Sequence, residues 1–412
     1  MGTMPIRGLP LPVATYRRRR AAAVPLVERS LFGTVPLLLL GCDEHHLRRD
    51  RQDPWFDYFT GCAEPDAALL IDPLDPEAQD TLFLDPGDPS RIVWDGKRLG
   101  PGAEARRAHG VDRVLHRDEL TARVLRAAER AGGRIAMCWR TREPGWQSQQ
   151  AHAWKKRTLA GGDLAGLGIG NAEASLVRLR MIKDADEVAL HREAIAITEH
   201  GLRTVLPQLA SLKTESAVAS ALTFHYRAPA YGPLAFPPIV GSGVNGATLH
   251  YPFNDQPLEP KAPLLIDSGA TAGGYCADVT RTIPVHGKFD DRRFREVYEL
   301  VLRANRLARD IVRPGMTHGE WTKRAWEPII AAGFVRHHGL SHHIGLDVHD
   351  PADYDVPLAP GMILSNEPGI YLPEEGFGIR IEDDLLITAD GCEELTRAIP
   401  KDIPDVEALM RG

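Results

Sequence analysis

The chain has 412 residues, of which 43% are hydrophobic and 25% charged, enough for two or three domains with their own cores. Its formal net charge of −7 argues against nucleic acid as a partner. The five cysteines are widely spaced with no CxxC pair, which excludes a disulfide framework or zinc knuckle and favours the cytoplasm. No apolar run reaches membrane-spanning length, and Glu28 and Arg29 interrupt the N-terminal apolar segment, so we expect no signal peptide and no membrane contact.

The first part of the chain alternates helical and strand patterns. We predict a helix over residues 16–30, and a second in residues 119–133 that ends at a glycine pair. The predicted strands are "VPLLLLG", "AALLIDP" and "DTLFLDP". This alternation predicts an α/β N-terminal domain. Residues 161–175 are rich in Gly and Ala without strong periodicity, so we place a domain boundary near them.

Three helices are predicted after this boundary. One begins at Asp184, with Glu187 three residues on, and another occupies residues 290–312 with apolar residues at helical spacing. The third begins at Thr317, with Glu320 in the capping position. The polar residues that suggest chemistry lie outside these helices, in the strand-like stretches "APLLIDSGATAGGYCADVTRTIPV", "GMILSNEPGIYL" and "GFGIRIEDDLLIT".

Four acidic residues in these stretches indicate a metal site. Asp267 and Asp278 flank a glycine-containing turn, so two paired strands would bring their carboxylates together, although each Asp alone is more readily structural. Glu367 and Glu382 are embedded in apolar segments, where a carboxylate is costly unless it is paired or binds a metal. With one histidine added, the set suits a pair of hard divalent ions such as Mn²⁺ better than a structural zinc.

Five segments in a fixed order give this chain a family resemblance. They are "GSGVNGATLHY", "IDSGATAGGYCADVTRT", "GLSHHIGLDVHD", "EPGIY" and "GIRIEDD". Together they resemble the pita-bread metallopeptidases, the superfamily of methionine aminopeptidase, aminopeptidase P, prolidase and creatinase. The segment "DPWFDYFTGCAEPDAALLID" is similar to the non-catalytic domain of aminopeptidase P. The resemblance implies an α/β creatinase-like domain over residues 1–165, and an α+β pita-bread catalytic domain over residues 176–412 with a curved antiparallel sheet covered by helices.

The resemblance also assigns a dinuclear metal site. Asp278 and Glu382 would bridge two divalent ions, and Thr280 would orient a ligand. Mn²⁺ is favoured, with Co²⁺ or Zn²⁺ as alternatives. The implied ligands are Asp267, Asp278, His342, Glu367 and Glu382.

Five of the chain's 16 histidines lie between residues 337 and 350. Besides the ligand His342, the resemblance implies that His349 faces the substrate and helps to stabilise the tetrahedral intermediate, and that His338 lines the substrate cleft. His337 and His343 match no functional position, so we interpret them as ordinary polar or packing residues.

The remaining catalytic assignments concern proton transfer and the cleft wall. Glu367 would act as general base for the attacking water, and His250 would be a candidate proton shuttle. Arg380, two residues before Glu382, would lie beside the metal bridge on the same strand face. We also propose Arg380, with His338 and His349, as a candidate for the wall of a proline pocket.

Two glycine-rich segments resemble phosphate-binding loops without the required context. "GSGVNG" at residues 241–246 satisfies GxGxxG, but "ATLHYPFND" follows where a helix should begin. "GLGIG" at residues 166–170 lies in the expected linker. We interpret the glycines of both segments as serving backbone geometry and not phosphate binding.

The implied function is hydrolysis of the Xaa-Pro bond at the N-terminus of proline-containing peptides, as in aminopeptidase P. A prolidase acting only on dipeptides is the alternative, because only fifteen positions separate Glu367 from Glu382 in a loop that borders the cleft. Metal-free creatinase chemistry and a non-enzymatic scaffold are disfavoured, since all five ligands are present. The resemblance further implies a homodimer formed through the N-terminal domain.

Overall fold

The structure is a computed structural model that describes residues 9–30, 33–44, 51–138, 164, 166–228 and 232–411. Contacts divide the chain into two compact units, Met1–Leu179 and Arg180–Gly412. Among the helices of the described ranges, none combines the length and the apolar composition that crossing a bilayer requires.

The first unit is built on a six-stranded mixed sheet. Its strands are β1 (Leu37–Leu40), β2 (Ala68–Ile71), β3 (Asp80–Leu84), β4 (Arg113–His116), β5 (Arg134–Met137) and β6 (Gly168–Asn171), in the spatial order β4-β3-β2-β1-β5-β6. The helices are α1 (Val13–Ser30), α2 (Pro54–Thr60), α3 (Ile92–Asp95), α4 (Ala103–His109) and α5 (Leu120–Arg130). All four leucines of β1 are buried, and helix α5 packs its apolar side on the same core.

The predicted elements of this unit are present, with one difference. The helix expected over residues 16–30 begins three residues earlier, at Val13, and the three strands and the helix in residues 119–133 are confirmed. Gly168–Asn171, which we had assigned to a linker, instead forms β6 and pairs in parallel with β5. Its glycines gave no alternating apolar signal, so only pairing with a neighbouring strand reveals it.

The second unit combines long helices with small antiparallel sheets. Its helices follow α6 (Glu173–Met181) and are α7 (Ala185–Val205), α8 (Leu209–Leu212), α9 (Glu215–Arg227), α10 (Arg292–Ile311), α11 (His318–Ala331) and α12 (Ile403–Met410). Its strands are β7 (Ile239–Ser242), β8 (Pro263–Ser268), β9 (Thr271–Ala272), β10 (Tyr275–Cys276), β11 (Val279–Pro284), β12 (Ile363–Asn366), β13 (Gly369–Leu372), β14 (Phe377–Arg380), β15 (Asp383–Ile387) and β16 (Cys392–Glu394). Both predicted capping boxes are confirmed, at Asp184 and at Thr317.

Antiparallel pairing places the acidic residues at the ends of strands or in the breaks between them. Strand β8 lies between β7 and β11, and Asp267 on β8 is opposite Thr280 on β11. Asp278 directly precedes β11. Glu367 occupies the break between β12 and β13, and Glu382 the break between β14 and β15. Rigid strands thus hold the acidic residues without taking their carboxylates into the cross-strand ladder.

The segment "GSGVNG" is a tight backbone turn, as we interpreted it. Gly243–Ala247 is a short 3₁₀ helix, and a Cβ atom on Gly241 would come within 2.7 Å of the Gly246 nitrogen. A Cβ atom on Gly378 of β14 would lie 2.1 Å from the Gly246 oxygen. The glycines therefore allow the turn to approach β14 closely.

Candidate metal centre

Three of the other four residues implied as ligands converge around the ring of His342. The His342 Nε2 atom lies 3.3 Å from Asp278 Oδ2, 3.5 Å from Glu367 Oε1 and 3.9 Å from Glu382 Oε1. In Asp278, His342 and Glu382, one potential ligand atom from each residue lies within 4.8 Å of the others. These residues come from separate segments, so the cluster depends on the tertiary fold.

Asp267 lies beside this cluster and is connected to it by Arg380. Its Oδ2 atom accepts a hydrogen bond of 2.6 Å from Arg380 Nη2, and Arg380 Nε lies 3.8 Å from Glu382 Oε2. Asp267 is also among the charges that raise the pKa values of Asp278, Glu367 and Glu382. The structure therefore brings all five residues into one electrostatic unit.

The cluster contains more negative charge than its own neighbours neutralise. Burial and the surrounding carboxylates raise the pKa values of Asp278 and Glu367 well above their usual range. Burial and Asp267 raise the pKa of Glu382 to about 8. Burial also lowers the pKa of His342 to about 4, so its ring is neutral at pH 7 and can donate a lone pair.

These residues fit divalent cations. The Asp267 Oδ1 and Asp278 Oδ1 atoms are buried and have no hydrogen-bond partner among the described residues. A buried polar atom without a partner is costly unless a ligand or ion satisfies it. Carboxylate oxygens with one neutral imidazole form the donor set that hard divalent ions accept.

Neighbouring groups orient the candidate ligands. Thr280 donates a hydrogen bond of 2.7 Å from Oγ1 to Glu382 Oε2, and Ser365 donates one of 3.2 Å to Glu367 Oε1. The His342 Nδ1 atom lies 3.2 Å from the His343 carbonyl oxygen, and it donates to that oxygen in the tautomer that leaves Nε2 free. These contacts orient Glu382, Glu367 and His342 so that each has a lone pair directed into the cluster.

Arg380 is more deeply enclosed than a residue on an open pocket wall. Its side chain is 3% exposed, and its guanidinium group also donates to Thr280 Oγ1 at 3.0 Å and to the Tyr371 hydroxyl at 3.1 Å. The same hydroxyl lies 3.0 Å from His338 Nε2, and His338 Nδ1 is 3.6 Å from Glu367 Oε2. Arg380 therefore contacts two carboxylates of the cluster, Asp267 and Glu382, whereas the partly exposed His338 lies beside Glu367.

Two of the predicted substrate-facing histidines are exposed. The His349 ring stacks on the His342 ring, with centroids 3.8 Å apart and planes 9° from parallel. His250 is near enough to His338 to help lower its pKa to about 4, although burial contributes most to that shift. Exposed imidazoles beside a buried ligand cluster are placed where a substrate could reach them.

The remaining two histidines of residues 337–350 behave as packing or surface residues. His337 is exposed and has an edge contact with the Tyr371 ring. His343 is 2% exposed and lies edge-on to Tyr354, and its backbone bridges to Leu364. The ring of His343 therefore fills space behind the cluster.

Sequence reasoning missed the ionic support behind the histidine segment. Asp350 is buried between two cations, 2.5 Å from Arg180 Nη2 and 3.5 Å from Lys183 Nζ. Its backbone nitrogen donates to the His343 carbonyl oxygen. Asp350 directly follows His349, but nothing local identifies cations almost 170 residues earlier, so no sequence signal could have identified this pairing.

Comparisons with known proteins agree with this geometry. Residues 189–389 match the model of metallopeptidase family M24, and residues 42–135 match the N-terminal domain of aminopeptidase P. A Xaa-Pro aminopeptidase of Haemophilus influenzae is 32% identical over 397 residues, covering 87% of this chain and 88% of the relative. The Escherichia coli Xaa-Pro aminopeptidase is 31% identical, covering 96% of this chain and 97% of the relative.

Solved structures give the same result. Aminopeptidase P from E. coli with the inhibitor Pro-Leu superposes with a TM-score of 0.81 at 29% identity, covering 97% of this chain and 98% of that one. Aminopeptidase PepP from Pseudomonas aeruginosa gives 0.80 at 27% identity, covering 98% of both chains.

The chain belongs to metallopeptidase family M24 and is a peptidase. Within that family it has the two-domain aminopeptidase P fold, an α/β N-terminal domain followed by an α+β pita-bread domain, which confirms the predicted fold class.

Replacing His343 by Ala should separate packing from catalysis. Because the ring is buried and contacts no candidate ligand through its side chain, His343→Ala should lower the free energy of unfolding by about 1–3 kcal/mol. We expect kcat to stay within about twofold of wild type, because the substitution alters packing around the His343 ring and removes no group that takes part in the reaction. Denaturant unfolding and steady-state kinetics would test both. A loss of kcat larger than tenfold would show that the histidine assignments are wrong.

Proposed function

We propose that this protein is a dinuclear-metal-dependent peptidase that hydrolyses the Xaa-Pro bond at the N-terminus of proline-containing peptides. The observation that supports this most strongly is the buried cluster of Asp278, His342, Glu367 and Glu382, with Asp267 beside it. Relatives named Xaa-Pro aminopeptidase, which align over most of the chain, support the choice of substrate.

The five ligand assignments made from the sequence are part of this proposal. Asp267, Asp278, His342, Glu367 and Glu382 would hold two divalent ions. When bound, these ions would supply Lewis-acid activation of the attacking water and of the scissile carbonyl. Mn²⁺ is the ion we favour because the donors are mainly carboxylate oxygens, with Co²⁺ or Zn²⁺ as alternatives.

Glu367 is suited to accept the proton of the attacking water. Its side chain is 16% exposed, against 10% for Asp267, 6% for Asp278 and 3% for Glu382. It is therefore the carboxylate that a substrate and its attacking water reach most readily. His338, which is neutral at pH 7, lies beside Glu367, with its Nδ1 atom 3.6 Å from Glu367 Oε2. General base catalysis of this kind typically contributes 10²–10⁴-fold to the rate.

The exposed histidines would serve the rest of the reaction. As the water oxygen bonds to the carbonyl carbon, negative charge develops on the carbonyl oxygen, and a donor placed there stabilises it. His349, held against His342 by stacking, is placed for this role. When the C–N bond breaks, its electron pair remains on the proline nitrogen, which then needs a proton. We assign the delivery of that proton to His250.

An aminopeptidase accepts peptides that continue beyond the proline residue, whereas a dipeptidase requires that they end there. A tertiary imide nitrogen has no N–H, so the enzyme must recognise ring shape instead of a backbone donor. We propose peptides longer than two residues as substrates, because the relatives that span the full chain are named aminopeptidases. A prolidase acting on dipeptides is the alternative.

The remaining proposals concern organisation and location. We propose residues 1–165 as the non-catalytic domain and residues 176–412 as the catalytic domain, supported by the two family matches. The five free cysteines support a reducing, cytoplasmic location. We also propose a homodimer formed through the N-terminal domain, which an elution at monomer mass in gel filtration would rule out.

A direct assay tests the activity. The protein, freed of metal with a chelator, should regain cleavage of Xaa-Pro-Yaa tripeptides when Mn²⁺ is restored, releasing the first residue. Co²⁺ and Zn²⁺ are restored in parallel, and Xaa-Ala-Yaa peptides serve as the control for proline selectivity. Cleavage of Xaa-Pro dipeptides alone would make it a prolidase. No cleavage with any of the three ions would favour a binding scaffold.

Replacing Asp278 by Ala tests the metal assignment. Because Asp278 would bridge both ions, Asp278→Ala should abolish turnover and weaken binding of both, as measured by metal content after dialysis. In wild type, each ion at 100 times its Kd should add about 2.7 kcal/mol to the free energy of unfolding, and the variant should lose this gain. Asp355→Ala, an exposed Asp of the same unit, is the matched control and should keep both ions. Full metal occupancy in Asp278→Ala would refute the assignment.

A further inference from the structure

The position of His250 depends on the backbone of the loop that contains it. Its ring is exposed and makes no hydrogen bond among the described residues. A side chain without such support is placed only as accurately as its backbone. We define residues 242–256 as the His250 loop. What fixes this loop therefore fixes the direction in which the imidazole points.

One buried carboxylate collects hydrogen bonds from the whole length of the His250 loop. Glu215 Oε1 accepts from the Ser242 nitrogen at 2.7 Å and from Asn245 Nδ2 at 3.0 Å. Glu215 Oε2 accepts from the Tyr251 hydroxyl at 3.0 Å and from the Gln256 nitrogen at 3.0 Å. Glu215 is completely buried. Both ends and the middle of the loop therefore meet at the same side chain.

Two of these contacts bracket His250 closely. Tyr251 is the next residue and is 7% exposed, and its hydroxyl oxygen also lies 3.2 Å from Asp255 Oδ1. Asn245 Nδ2 donates to Glu215 Oε1 at 3.0 Å and to the Tyr251 hydroxyl oxygen at 3.1 Å. The side chain following His250 is thereby held in the interior, while the His250 ring itself is exposed.

Glu215 also joins the loop to the strands of the metal cluster. The Glu215 backbone nitrogen donates to the Gln256 carbonyl oxygen at 3.0 Å, so the end of the loop is paired with the start of α9. At the other end, Ser242 closes β7, and β7 pairs with β8 so that Ile239 is opposite Asp267. The loop is thus held in register with a strand that presents a candidate ligand.

The position of Glu215 suits a carboxylate. It is the first residue of α9, where the helix dipole and free backbone N–H groups favour negative charge. Two carboxylate oxygens can accept all four donors. A glutamine keeps nearly the same shape but replaces one oxygen by an NH₂ group, which cannot accept from a backbone N–H such as that of Gln256 and which reverses the direction of a bond to a hydroxyl such as that of Tyr251.

We propose that Glu215 is a positioning residue that sets His250 for its role at the scissile bond. The inference rests on the proposed function, in which His250 delivers a proton to the departing nitrogen. Glu215 touches neither substrate nor metal in this proposal. It acts through the geometry of the His250 loop.

A double-mutant cycle on the full-length, Mn²⁺-loaded protein tests this inference. Glu215→Gln should lower kcat on an Xaa-Pro-Yaa tripeptide by about 10- to 100-fold with little change in KM, because a displaced catalytic group costs turnover. The same substitution made in the His250→Ala background should change kcat by less than about twofold, since the group being positioned is absent. Glu296→Gln, an exposed acid paired with Arg292, is the matched control.

A second readout does not depend on activity. Hydrogen–deuterium exchange of the His250 loop should accelerate in Glu215→Gln, while metal content and exchange in the strands β12 and β15 stay at wild-type values. A merely structural role would lower metal content and kcat equally in both backgrounds. That result, or an unchanged kcat in Glu215→Gln with unchanged exchange, would overturn the inference.

A milder variant tests the same network in case Glu215→Gln does not fold. Tyr251→Phe removes one hydroxyl from the Glu215 network, and it should show a smaller loss of kcat that also disappears with His250→Ala. If wild type cleaves no Xaa-Pro peptide with any ion, the proposed function fails. The exchange measurement then decides separately whether Glu215 fixes the His250 loop: faster exchange in the variants supports that, and unchanged exchange overturns it.

Discussion

The structure depends on a concentration of buried negative charge that its own side chains do not neutralise. Among Asp267, Asp278, Glu367 and Glu382, the buried guanidinium group of Arg380 contacts Asp267 and Glu382 and partly offsets the raised pKa of Glu367. Burying carboxylates in this way is unfavourable unless they bind protons or cations. The raised pKa values of three of them express this cost. Divalent ions remove the cost, so the same charge that opposes folding supplies the affinity for metal.

Asp383, the residue after Glu382, shows that this fold can neutralise a buried acid with its own cations. Burial alone would raise the pKa of Asp383, but Arg281 and Lys401 outweigh it and hold that pKa below its usual range. Arg281 Nη2 lies 2.8 Å from Asp383 Oδ1. Glu382, one position earlier, points to the other side and has a raised pKa. The paired acid Asp383 therefore supports the strands, whereas Glu382 in the cluster keeps a raised pKa that a bound cation would lower.

Much of this arrangement could be predicted from the sequence because its signals are local. The capping boxes at Asp184 and Thr317 and the apolar runs of the strands follow from residues a few positions apart. The acidic residues stood out because their apolar surroundings make burial costly. That context already indicated a metal site, but the assignment of the individual ligands and of the histidines came from the family resemblance.

What the sequence could not show is how residues distant in the chain support one another. Strand β6 is glycine-rich and is defined only by pairing with β5. Glu215 and the loop of His250, like Asp350 and its two cations, meet only in the folded chain. Arg380 was expected near the bridge, but its enclosure by Asp267, Thr280 and Tyr371 depends on three other strands.

The central claim is that the buried carboxylates form a binding site for two cations. Anomalous diffraction from crystals grown with Mn²⁺, recorded on both sides of the manganese edge, tests it most directly. We predict two manganese peaks enclosed by Asp267, Asp278, His342, Glu367 and Glu382. An ordered cluster with no anomalous peak at millimolar Mn²⁺, or with peaks bound elsewhere, would contradict the account.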